Sequence, residues 1–208
     1  MVAFTITPSR AAARLNSGVR ASMRRLAKAA TLLIAAILLI PLLAFFTYDA
    51  LVFWPHRDEI ESILAKADPL DRTPPPSIER YIRTLHRGRR PAASVEAVVA
   101  RHLHWRFLPE KRSMLNWHMR GLLWERLVSI HLSQDEILGL YCTLSFNGDG
   151  QGMNALSGRL FSKPLSALSD REAATVVAFI SSPGFIGRNP ERLAAQRDKL
   201  IAKGKSWP

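Results

Sequence analysis

The chain has 208 residues and a formal net charge of +12, the size of one ordinary domain plus an extension. Its single cysteine, Cys142, excludes an internal disulfide and a cysteine-based zinc site within one chain. The charge is unevenly placed: segment 1–28 holds Arg10, Arg14, Arg20, Arg24, Arg25 and Lys28 with no acid, so the remainder is only mildly basic and suits an anionic membrane surface or an anionic substrate as well as DNA.

In chain order, 1–28 reads as a basic tail without fixed structure. Segment 29–48, AATLLIAAILLIPLLAFFTY, carries no charge over 20 residues, and roughly 20 residues at 1.5 Å each cross a hydrocarbon core. Pro41 is tolerated there because neighbouring groups satisfy the freed carbonyl. The basic residues before the span, and Asp49, Asp58, Glu59 and Glu61 after it, place the N-terminus in the cytoplasm. The alternative is a cleaved signal peptide, but the apolar run exceeds an ordinary signal core and no clear A-x-A site follows. Span and rim then cover 29–54, with Trp54 as interfacial anchor. Segment 55–75 reads as a linker: 58–66 has the composition of a short helix, and DPLDRTPPPS at 68–77 is broken by proline.

The remainder, 76–208, reads as a mostly α domain with no alternating strand pattern. Ser94 opens a helix with Val95, Val98, Val99 and Leu103 on one face. Residues 119–132 place Leu122, Leu123, Leu127 and Ile130 at helical spacing. Ser133 with Glu136, and Ser169 with Glu172, are capping boxes: the serine accepts from the backbone N–H three residues on and the glutamate reaches back. Ile137, Leu140, Tyr141 and Leu144 form the buried stripe of the first of these. Asn147–Gly152 stops that helix, and Asn189 with Pro190 starts the last one. About six short helices around one core follow.

The series SQDEILGLYCTLSFNGDGQGMNALSGRLFSKPLSALSDREAATVVAFISSPGFIGRNPERLAAQRDKLI, about 70 residues from Ser133 without gaps, resembles the second half of a peptidoglycan glycosyltransferase domain, glycosyltransferase family 51. Ser133, Glu136, Ile137, Leu138 and Tyr141 match its S-K-x-E-I-L-E-x-Y-L-N block. Gly148, Gly150 and Gly152 suit its glycine turn. Phe161, Lys163 and Pro164 match the block ending F-G-K, and Leu168, Ser169, Glu172, Ala173 and Ala174 match L-S-x-x-E-A-A. Upstream, Ala100, Arg101 and Leu103 match the end of S-T-I-x-Q-Q-L-A-R-N-L, but Ala97 and Val98 replace the glutamine pair. Gln134 replaces the usual lysine and Thr143 the usual asparagine. The family's first catalytic motif, E-D-x-x-F-x-x-H-x-G, has no counterpart: PSIERYIRTLHRGRR occupies its place with Glu79 as the only acid. The second family acid, in R-K-x-x-E, falls at Gly121 by an ungapped count, with Arg120 adjacent and Glu125 one helical turn later.

The resemblance implies a lysozyme-like helical domain, outside the inner membrane of a bacterium, that polymerises lipid-linked disaccharide-peptide into glycan. That reaction needs a base on the attacking hydroxyl, cations for the leaving diphosphate, with a divalent metal arriving alongside the substrate, and a groove at the bilayer. Glu125 is the candidate base. Arg101, Arg120, Lys163 and Tyr141 are the candidate substrate contacts, with Arg106, Lys111 and Arg112 nearby in sequence. The alternative is an inactive member of the family that binds precursor, glycan or another cell-wall synthase. A structure without a groove between the Ser94 and Ser133 helices points to an unrelated helical membrane protein instead. His102 and His104, two apart, do not share a helix face and imply no metal site. NGDGQG lacks the strand and G-K-[ST] of a phosphate loop. Trp105, Trp117 and Trp124 read as core or membrane-edge packing, and no nucleic-acid partner is expected.

Overall fold

The computed structural model describes residues 10–87, 93–108 and 114–205, without the side chains of 10–22, 24 and 114–116. The described residues are helical, with no strand; one isolated antiparallel bridge joins Phe146 and Gln151. The chain divides into a unit of residues 1–50 and a unit of residues 51–208.

The first unit is built on α1, Arg10–Tyr48, which includes Pro41. It is long and apolar enough to cross a membrane: an 18-residue window has mean hydropathy 2.7 and none of it is buried. The basic segment expected without structure is helical backbone from Arg10 onward. Its Ala, Arg, Leu and Met content explains this, since these are among the strongest helix formers.

In the second unit, α2 (Arg57–Lys66) and α3 (Pro69–Arg72) occupy most of the stretch expected as a linker. Asp68 caps α3 by accepting from Leu70 N at 2.8 Å, and Pro69 sits at the first helical position. Both helices pack on α7, Gln134–Leu144, so 55–75 belongs to the folded body. Arg57 anchors this arrangement. Its Nη1 donates to the His131 carbonyl at 2.6 Å, and its Nη2 pairs with Glu136 at 3.3 Å.

The other helices are α4 (Pro76–His86), α5 (Val95–Phe107), α6 (Met114–His131), α8 (Met153–Phe161), α9 (Asp170–Ile180) and α10 (Pro190–Gly204). Both capping boxes form as read, and Ser94 accepts from Ala97 N at 3.0 Å. α7 is buried nearly all round because α2, α3, α5 and α8 cover it. On α5, Val99 and Leu103 are buried as expected, whereas Val95 and Val98 are only half-buried. On α6 the buried row is Trp124, Leu127 and Val128, while Leu122 and Ile130 face outward. Apolar residues fall on every side of α6, so spacing alone did not select its inner face.

α8 starts from a long-range cap. Asp71, on α3, accepts from Met153 N at 3.0 Å and Asn154 N at 2.8 Å. Gly152 precedes the helix at φ +98°, and a Cβ there would lie 2.8 Å from Asp71 Oδ2. Glycine is required on both counts.

Candidate functional site

Two adjoining cavities lie on α5. The first, about 360 Å3, opens between α5 and α6. From α5 it takes Ala97, Arg101 and His104, spaced three and four apart, and from α6 it takes Gly121 and Glu125, one turn apart. The position at which the family resemblance places an acid is therefore on this cavity, and so is the candidate base one turn later. A Cβ on Gly121 would meet nothing within 4 Å, so the wall is open there. Glu125 is half-buried and accepts from Ser94 Oγ at 3.4 Å, a long bond.

His104 was not expected at the site. Its residue is 1 % exposed, and its Nε2 has no hydrogen-bond partner among the described residues. Burial, then the neighbouring Arg120 charge, lowers its pKa, which leaves a neutral ring at pH 7 with hydrogen-bonding capacity unused. Trp117, 4.3 Å away between ring centroids, and Trp124, 6.3 Å away, hold the ring in place. Trp124 is wholly buried and takes the expected core role, whereas Trp105 is 44 % exposed and packs on Trp117 at 4.6 Å. Arg120 is half-buried and acts on His104.

The second cavity, about 310 Å3, lies between α5 and α7 with contributions from α4 and α9. It is the groove anticipated between the Ser94 and Ser133 helices. Arg101 and His102 line it from α5, Tyr141 from α7, Ser145 from the C-cap of α7, and His86 from α4. His86 Nδ1 lies 2.5 Å from the Ala93 carbonyl, a pure acceptor, so in the neutral ring Nδ1 carries the proton. Nε2 then accepts from the Tyr141 hydroxyl at 3.1 Å. Tyr141 thus ties α7 to α4 through the ring of His86, and its side chain is buried. Burial, then the charge of Arg101, lowers the pKa of His102. Arg101 lines both cavities and is exposed.

No protein-family model matches this chain, and no curated protein matches it.

The remaining candidates lie elsewhere. Lys163 pairs with Glu172 at 2.8 Å at the start of α9, and that contact with the Ser169 cap pulls Glu172 down to about 2. Lys163 lines neither cavity. Arg106 pairs with Glu59 at 3.5 Å, and Lys111 and Arg112 lie outside the described residues. Glu79, the one acid in the place of the missing motif, bonds to Arg83 at 2.8 Å and lines a separate cleft of about 520 Å3 with Arg80 and Asp170. Among the described residues, no three His, Cys, Asp or Glu side chains converge to hold a metal. Cys142 is fully buried, and burial, then the charge of Asp71, raises its thiol pKa. It packs as a small hydrophobe.

The cavities therefore combine a carboxylate, an exposed guanidinium shared by both, and a buried imidazole with an unused nitrogen. Such a set can hold an anionic, hydroxyl-rich ligand: the guanidinium for phosphate oxygens, the carboxylate and imidazole for sugar hydroxyls. His104 was legible only as a member of RHLHWRF. Nothing local marks which of two nearby histidines faces α6.

Proposed function

We propose that the chain is a peptidoglycan glycosyltransferase-like protein anchored in the bacterial inner membrane by α1, with its C-terminal domain outside the cytoplasm, and that it engages lipid-linked disaccharide-peptide precursor. The observation that carries this reading is the sharing of one cavity by Gly121, Glu125 and Arg101. The ungapped count places the family's acid at Gly121, and Glu125 offers a carboxyl to the same space from one turn away. Arg101 supports the leaving diphosphate, and a divalent ion, where used, arrives with that diphosphate.

A second reading keeps the binding and drops the turnover. It is favoured by Glu79, which is committed to Arg83 in a different cleft, so among the described residues none brings a second carboxylate to this cavity in place of the missing first motif. A missing general base lowers rates by about 10²–10⁴. In this reading the domain presents precursor to a partner synthase.

Purified full-length protein incubated with lipid-linked disaccharide separates the two. Glycan product that is lost in Glu125→Gln, with precursor binding retained, establishes the enzyme. Saturable binding without product, weakened about tenfold in Arg101→Ala as one charge-assisted contact is lost, establishes the binding module. No product and no saturable binding refutes both.

A further inference from the structure

Small residues line the α5–α6 cavity from both helices. Ala97 stands on α5 and Gly121 on α6, and a Cβ on Gly121 would meet nothing within 4 Å. Ala97, Arg101 and His104 follow one another at intervals of four and three, so one face of α5 forms the wall. Arg101 and His104 differ along it. Arg101 is exposed and lines the second cavity as well. His104 is buried, with Trp117 packed against its ring.

Nε2 of His104 has no hydrogen-bond partner among the described residues. A buried polar atom left unpaired destabilises a fold, and native interiors contain few of them. An apolar ring at this position would pack on Trp117 without that penalty, so packing does not account for a histidine here. On the facing helix, the Glu125 carboxylate accepts only the long bond from Ser94 Oγ, 3.4 Å, among the described residues. The cavity therefore brings together two polar groups whose hydrogen-bonding capacity the fold leaves open, and a ligand completes both.

The chemistry of the ring selects the ligand group. Burial, then the charge of Arg120, disfavours the protonated ring. The neutral imidazole has one nitrogen that donates and one that accepts. A phosphate oxygen only accepts, and it gains most from a cation, which is the part of Arg101. A sugar hydroxyl both donates and accepts, so it satisfies Nε2 in either tautomer. We propose that His104 is a direct contact for a sugar hydroxyl of the lipid-linked precursor, one helical turn along α5 from the diphosphate on Arg101, and that its unmet nitrogen lowers the stability of the ligand-free fold. The inference rests on the precursor reading of the preceding section and holds for either of its forms.

The test titrates two probes onto the full-length protein in detergent: the lipid-linked disaccharide-peptide, and the same lipid diphosphate bearing no sugar. Arg101→Ala should weaken both about tenfold. His104→Phe keeps a ring against Trp117 and removes both nitrogens. It should weaken the sugar-bearing probe about fivefold and leave the bare diphosphate unchanged, while its thermal midpoint without ligand stays at or above that of the wild type. His104→Gln, which keeps a hydrogen-bonding group at the reach of Nε2, should bind the sugar-bearing probe more tightly than His104→Phe does. Unchanged binding in His104→Phe, or equal losses on the two probes, overturns the contact and leaves the precursor reading intact. A lower midpoint in His104→Phe shows that the ring has a partner within the fold, and overturns the contact too. Wild-type protein that binds neither probe overturns the precursor reading, and this inference falls with it.

Discussion

Asp71 is a buried carboxyl at the N-terminus of α8. Burial raises its pKa to about 6 from an ordinary 3.8, while the two backbone N–H bonds from Met153 and Asn154 oppose the rise and the nearby Asp68 charge adds to it. Because the folded pKa is raised, the stabilisation due to this proton is complete below the unfolded value and is lost as pH climbs through about 6. A shift of about two units corresponds to on the order of 2–3 kcal/mol. Asp71→Asn keeps an acceptor for the helix N–H groups and removes the titration. Urea unfolding of the two proteins should give a wild-type stability that falls relative to Asp71→Asn between about pH 4 and pH 7. Parallel curves across that range would show that Asp71 is not buried as described. Nothing in the local sequence announced this cap, because the bond joins residues 82 apart. The two serine capping boxes were legible because donor and acceptor lie three residues apart. Glu125 and Arg101, which line the first cavity, were singled out only through the family resemblance, Arg101 by its motif and Glu125 by an ungapped count and one helical turn. The unused nitrogen of His104 was not singled out at all, since its burial depends on α6 closing over it.

At the scale of elements, the contact between α3 and α7 decides how closely the cover of α7 can approach. A Cβ on Gly139 would lie 2.6 Å from the Arg72 carbonyl oxygen and 3.2 Å from Leu64 Cδ2. The first partner is backbone and cannot swing aside, so Gly139→Ala must push α3 off α7. The cost is of the order of overpacking, about 1–3 kcal/mol. Gly121→Ala is the matched control, a helix glycine with open space around its Cβ, and should gain about 0.5–1 kcal/mol from helix propensity alone. Opposite shifts in thermal midpoint are expected; a stabilised Gly139→Ala would refute the close approach. The same contact explains a misreading of 55–75. Proline and aspartate in DPLDRTPPPS are turn residues by local rule, and here Asp68 and Pro69 start the short helix α3, which packs on α7. α6 misled for a related reason: with apolar residues on every side, the pattern does not report which face meets the core.

For the whole molecule, these contacts fix where the folded body begins. Phe53, Ile60 and Leu64 are buried, and all precede Pro76, where the sequence pattern placed the start of the domain. Fully burying such side chains is worth about 1.5–3 kcal/mol each, so removing the three forfeits about 5–9 kcal/mol, against about 5–15 kcal/mol for an entire domain. Removal also takes away Asp71 and Arg57, leaving the first N–H groups of α8 and the His131 carbonyl without these partners. A fragment of residues 51–208 in mild detergent should therefore unfold in one cooperative transition on heating, followed by circular dichroism. A fragment of residues 76–208 should retain helical signal but melt broadly, because its helices remain amphipathic while the cover of α7 is gone. Equal cooperativity in the two would place the boundary at Pro76 after all and make α2 and α3 dispensable attachments. The outcome bears on function, because α5 and α6 frame the first cavity and Phe53 packs on Trp124 at 5.1 Å behind it. If the longer fragment alone binds the proposed precursor, the segment that follows α1 is part of what shapes the site.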